Sequence, residues 1–219
     1  MHRGADQRGA PDLCPSRQPA LPVACIGASP RPLNPDFQAR LSCPTAMDDL
    51  SRYSVIERSR AGCAVEIRAL RPDDRDRLLT AVDHTSARSL YLRFFGPRRH
   101  FTDKEITFFL NVDFTSHVAL VAVTEQDGEP VIAGGARYLV TQPGQAEVAF
   151  TVIDPFQGQG IGGLLTRHLI SIARGKGLTE LIAHVLPDNA PMLKLFERCG
   201  LPLRKKRDAE AIHVTLQLT

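Results

Sequence analysis

Residues 153–169 read IDPFQGQGIGGLLTRHL, and within them Gly158, Gly160 and Gly163 form a G-x-G-x-x-G. Glycines in such a run leave backbone N–H groups unshielded by side chains. Where the run opens a helix, those amides lie at the positive end of the helix dipole, and the chemistry they serve is the holding of a phosphate or pyrophosphate. A short way upstream, QAEVAFTVI carries one carboxylate, Glu147. The period of two along a strand puts Glu147, Ala149 and Thr151 on one face and Val148, Phe150 and Val152 on the other, so the carboxylate avoids the most apolar face. Such a group either accepts a proton during a reaction or is an exposed strand residue paired with a base such as Arg137.

The elements that position these groups can be read from periodicity and punctuation. AVEIRAL after Cys63 alternates as a strand, and RPDDRDRLLTAVDHT starts a helix with acidic residues before Leu78, Leu79 and Val82. FTDKEITFFLNV carries a capping box, Thr102 with Glu105, ahead of a second helix. HVALVAVTEQDGEPVIAGGARYLV predicts two strands joined at Gln126-Asp127-Gly128, and QAEVAFTVI a third after Pro143-Gly144. The glycine run then opens an amphipathic helix with Ile161, Leu164, Leu165, Leu169 and Ile172 inward. A strand ELIAHVL, a helix NAPMLKLFERCG and a last strand AIHVTLQL follow. The expected class is α/β with a mixed sheet: an antiparallel meander followed by one late strand-helix-strand crossover.

That order decides between two phosphate sites. A dinucleotide fold needs the first glycine almost directly after a strand, an acidic residue about 20 positions on and several further βαβ units. Asp188 can serve as the acid. However, residues 154–157 separate strand from glycine, Pro155 cannot join a central ladder, and the 56 residues after Gly163 allow little more than one βαβ unit. A triphosphate loop fails because no Lys-Ser or Lys-Thr follows Gly163. Parsed one residue earlier, the run is Gln157-x-x-Gly160-x-Gly162. In that frame, after a meander strand and ahead of an amphipathic helix, a strand and NAPMLKLFERCGL (Asn189, Gly200, Leu201), it resembles the R/Q-x-x-G-x-G/A loop of the GNAT superfamily of acyl-CoA-dependent N-acyltransferases. TSARSLYLRFFGPRRHFTDKEI and AEVAFTV are similar to the acetyltransferase module of bacterial protein lysine acetyltransferases.

The resemblance implies a GNAT fold whose late parallel strand pair splays to hold acetyl-CoA as cosubstrate, without a metal. Val152 and Ile153 would offer backbone groups to the pantetheine. Gln157 and the amides of Gly158, Gln159, Gly160, Ile161, Gly162 and Gly163 would take the pyrophosphate. Asn189 would either contact CoA or cap its helix. Glu147, roughly 17 Å along the strand from Val152, corresponds to the glutamate these lysine acetyltransferases use as general base. The implied acceptor is a protein lysine, with acyl-CoA synthetases as a target class. A small-molecule amine, or a module that senses acyl-CoA without catalysis, are the other readings. Phe196 occupies the place where many relatives carry a tyrosine acid, leaving Tyr138, a water or direct thiolate release for the leaving group. His168 and His184 lie among core-facing residues and read as satisfied interior or interfacial histidines. Cys199 has no legible histidine partner. Tyr91, Arg93, Phe94 and Phe95, between the first two helices, border the acceptor site in GNAT proteins.

Composition sets the outer bounds. A net charge of +3 without a basic run interleaved with aromatics does not point to nucleic acid or an anionic membrane. LRKKR, from Leu203, reads as a solvated turn. Five cysteines, an odd number without metal spacing, suggest reduced thiols. No apolar run approaches the roughly 18 residues of a membrane span, and a cytoplasmic location is expected. Residues 1–46 hold about half of the 16 prolines and no apolar periodicity, which predicts a disordered tail. Met47 opens a more ordinary start, an alternative native beginning that N-terminal sequencing checks. Residues 47–62 read as a lead-in and 63–219 as the catalytic domain.

Overall fold

Alternating side chains in the first half of the chain build an antiparallel ladder. In the computed structural model, which describes residues 49–219, β1 (Ser54–Arg58), β2 (Ala64–Ala69), β3 (His117–Gln126), β4 (Glu129–Gln142) and β5 (Gln145–Val152) lie side by side in that order. The stretch 1–46 read as a tail lies outside these residues. β3 buries residues 117–124 without interruption because both of its faces are covered. β6 (Glu180–Val185) joins β5 in parallel, and β8 (Ile212–Gln217) and then β7 (Leu203–Arg207) complete an eight-stranded mixed sheet. This is the expected class, a meander with one late parallel pair.

Among the described residues five α-helices flank the sheet: α1 (Arg75–Asp83), α2 (Ala87–Phe94), α3 (Asp103–Leu110), α4 (Ile161–Gly175) and α5 (Ala190–Glu197). α4 buries all five residues assigned inward, Ile161, Leu164, Leu165, Leu169 and Ile172. They pack with Tyr138, Val148 and Phe150 in the larger core. On the opposite face Leu70, Ala81, Val121, Ile132 and Ile153 form a smaller one. α3 begins with the predicted capping box, Thr102 with Glu105. A buried bidentate pair ties β2 to the turn before α1: Arg68 donates to Asp74 at 2.6 and 2.7 Å.

Three elements depart from expectation. The lead-in contributes β1, which pairs along its whole length with β2. The segment holding Arg93 is itself a helix, α2, started by the Ser86 side chain accepting the Ser89 amide and stopped at Phe95, whose φ is 60°. LRKKR is not a turn but the edge strand β7, with four of its five residues exposed. A lysine- and arginine-rich edge protects a sheet from pairing with other chains. Among the described residues no helix is long and apolar enough to cross a membrane, and no group of three His, Cys, Asp or Glu could hold a metal.

Candidate active site

The site begins where a ladder stops. β5 and β6 pair only through Gln145–Glu180, Ala146–Leu181 and Glu147–Ile182. Beyond Glu147 the strands part: β5 continues against β4, and β6 against β8. The V-shaped opening continues into a cleft of about 1370 Å³ lined by Val148–Val152 of β5, Ala183–Val185 of β6, the glycine loop and α5. Glu147 therefore stands at the vertex, its side chain 47% exposed.

At the other end of the cleft lies the start of α4. Gly160 is the N-cap with φ of 88°, a backbone conformation that side chains disfavour. Leu164 is the first amide to enter the helix, donating to the Gly160 carbonyl at 3.1 Å, which leaves the amides of Ile161, Gly162 and Gly163 at the N-terminus. A Cβ at Gly162 would meet only ordinary contacts with Leu195 and Val152, and one at Gly163 would meet nothing within 4 Å. The fold itself has no need of glycine at either position. A ligand approaching those amides does, so the loop fits a pyrophosphate.

Gln157, Gly158, Gly160, Ile161, Gly162, Gly163, Val152 and Asn189 all line the cleft with Glu147. Two expected ligands do not. Ile153 is buried in the smaller core and its N–H donates to the Ala133 carbonyl, so it is turned away from the opening. Gln159 turns its side-chain amide back to the Pro155 carbonyl, and its own carbonyl accepts from the Arg60 amide at 2.7 Å. Gln157 braces the loop, donating to the Val152 carbonyl at 3.0 Å and to Ser89 Oγ at 3.2 Å. Asn189 caps α5, its side chain accepting the Met192 amide. Close approach of β4 to the end of β5 depends on Gly134, where a Cβ would lie 2.7 Å from the Thr151 carbonyl oxygen.

Two arginines, Arg60 and Arg88, escaped the sequence reading, whereas Arg93 was expected at the acceptor side. Arg60, on the β1–β2 turn, lines the cleft beside Gly160. Arg88 of α2 reaches Asp188, beyond β6, at 3.3 Å. Arg93 lines the cleft near Glu147; burial lowers its pKa to about 10, against the opposing pull of the carboxylate. Arg137 is likewise lowered to about 10 by burial and by Arg93; it sits over the Phe109 ring and 3.2 Å from His117. It is therefore not the base paired with Glu147. His184 is not a core residue: it is 42% exposed, with Nδ1 3.8 Å from Glu147 Oε1. His168 is buried as expected, held by Tyr53 and Glu57. Tyr138 is fully buried on the α4 side of the sheet, has no hydrogen-bond partner among the described residues and does not line the cleft, so it is no acid for this site. Phe196 lies edge-on to Phe150, and Cys199 Sγ donates to the Phe196 carbonyl.

A mixed sheet that splays at one parallel pair, with a helix N-terminus at the far end of the opening, is the arrangement that the GNAT resemblance implied for an acyl-CoA-dependent transferase. The acetyltransferase (GNAT) family matches residues 84–201. The chain belongs to this family and is an acetyl-CoA-dependent acetyltransferase. It is 31% identical over 150 residues to an acetyltransferase of Pseudomonas aeruginosa, covering 68% of this chain and 80% of that protein. It is 38% identical over 136 residues to acetyltransferase Pat of Mycolicibacterium smegmatis, covering 61% of this chain and 40% of that protein. The chain thus spans less than half of Pat. The GNAT domain of S. lividans PAT superposes with a TM-score of 0.69 at 28% identity, over 75% of this chain and 96% of that domain.

Proposed function

We propose that this acetyltransferase modifies a lysine side chain of a protein by direct transfer, with Glu147 as general base. The observation that carries the reading is the place of Glu147, the last paired residue before β5 and β6 part and a partly exposed carboxylate opening into the cleft. Likeness to Pat and to the S. lividans domain supports a protein acceptor. Acyl-CoA synthetases are the target class we propose to examine first.

Acetyl-CoA supplies an electrophilic thioester carbonyl. The amides of Gly158 and of residues 160–163 would hold its pyrophosphate, in a loop that Gln157 braces with its side-chain N–H groups, and a backbone N–H near Val152 would meet the developing oxyanion, a contribution of roughly 3 kcal/mol. An ammonium must lose its proton before it attacks. For a lysine titrating near 10.4, the neutral form at pH 7 costs about 4.6 kcal/mol, so a proton acceptor at the vertex lowers the barrier directly. With Phe196 in the usual acid's place, the CoA thiolate leaves unassisted by a side chain or takes its proton from water. The test is incubation with acetyl-CoA and a protein mixture that includes acyl-CoA synthetases, with acetylated lysines identified by mass spectrometry. Sites present with the wild type and absent with Glu147→Gln support the reading; turnover of free amines alone would move the acceptor to a small molecule.

A further inference from the structure

His184 and His213 are paired residues of β6 and β8, so their side chains leave the same face of the sheet as Glu147 and Ile182. Their rings meet edge to face, centroids 4.7 Å apart. His213 Nε2 hydrogen-bonds Asp208 Oδ2, and Asp208 is itself fixed by accepting the amides of Glu210 and Ala211 at 2.8 Å. At the near end, His184 Nδ1 is 3.8 Å from Glu147 Oε1. That gap exceeds a hydrogen bond, and one water or a small rotation of two exposed side chains closes it. The other charges on this face of the sheet are Lys206 and Arg204 of β7 and Glu180 of β6, with Arg93 of α2 beside Glu147.

We infer that His184 receives the proton that Glu147 takes from the acceptor amine, with His213 and Asp208 orienting it, so that the proton leaves sideways along the sheet. The inference rests on Glu147 being the base. Its need follows from the reaction's balance. An ammonium nitrogen sheds two protons on becoming an amide: the C–N bond forms, the C–S bond breaks, the thiolate takes up one proton and the other must reach solvent. A protein acceptor seated over the cleft covers Glu147 from bulk water. Imidazole is the side chain whose ordinary range spans neutral pH, which suits it to accept from a carboxylic acid and release to water. His184 acts through Glu147 and is in that sense a positioning residue.

The test is the pH dependence of turnover with a protein acceptor in wild type, His184→Gln, His213→Gln and Glu147→Gln, together with His184→Gly in buffer with and without added imidazole. The expected result is a roughly tenfold or larger fall in kcat for His184→Gln near pH 7, an unchanged KM for acetyl-CoA, and partial recovery of His184→Gly by imidazole. His213→Gln should show a smaller fall with the same pH trend. Unchanged kcat and pH profile in His184→Gln, with Glu147→Gln inactive, would overturn the relay and leave the base in place. Full turnover by Glu147→Gln would remove the base and the relay together.

Discussion

Glu147 and the glycines facing it across the cleft answer to different demands, and substitutions separate them. Glu147→Gln keeps size and strand geometry and removes the proton acceptor, so kcat should fall by about 10²–10⁴ while KM for acetyl-CoA stays near the wild-type value, measured by steady-state kinetics. At Gly163 the chain has room for a Cβ. Gly163→Ala should therefore gain up to about 1 kcal/mol of helix stability and raise KM for acetyl-CoA, a higher Tm accompanying a weaker cofactor site. The sequence exposed Glu147, Gln157 and the glycine run because each sits in a local pattern. Ile153 and Gln159 shared that pattern, yet neither lines the cleft: the backbone N–H and C=O of Ile153 are taken by Ala133 and Phe156, and the Gln159 carbonyl by Arg60, a matter of local backbone direction that a motif does not encode. Arg60 and His184 reach the site from other strands and turns, and no period along the chain brings them there; Arg93 was placed beside it by the resemblance alone.

At the scale of elements, β1 does more than extend the sheet. Tyr53, just before it, lies 2.5 Å from His168 Nδ1, and Glu57 within it accepts from Nε2 at 3.0 Å and from Arg167 at 3.1 Å. Burial, then the Glu57 charge, raises the Tyr53 pKa to about 12, so the phenol donates and His168 keeps its remaining proton on Nε2. Burial lowers the pKa of His168 below the ordinary imidazole range, more than Glu57 raises it. The unfolded chain then binds the extra proton, so this stability is present above about pH 6.5 and is lost as pH falls below it. Thermal unfolding between pH 8 and 5 should show a steeper decline for the wild type than for His168→Gln. Starting the chain at residue 63 removes β1 and leaves the apolar β2 edge unpaired; that fragment should lose cooperative unfolding, which a chain starting at residue 49 should retain. β1, α2 and β7 were illegible for one physical reason. Their residues are largely half-buried or exposed, so little apolar periodicity marks them, and their partners rather than their propensities hold them in place.

For the whole molecule, the predicted class, meander, crossover helix and capped α3 all emerge as read, because in each the burial pattern and the punctuation agree. What the sequence left open is how weakly its two groups of strands are joined. A ligand bound along the cleft contacts both β5 and β6 and should stabilise the native chain by about 2.7 kcal/mol at a hundredfold excess over Kd. For a chain of this size that is about 5–10 °C in Tm, readable by thermal shift with acetyl-CoA or CoA. The three residue pairs that join β5 to β6 act as the spine of a book, with β1–β5 as one leaf and β6–β8 as the other. Amides along the spine should resist hydrogen exchange in the free protein, those farther along the open strands should gain protection only with ligand, and the cosubstrate becomes the second binding that holds the leaves at a fixed angle.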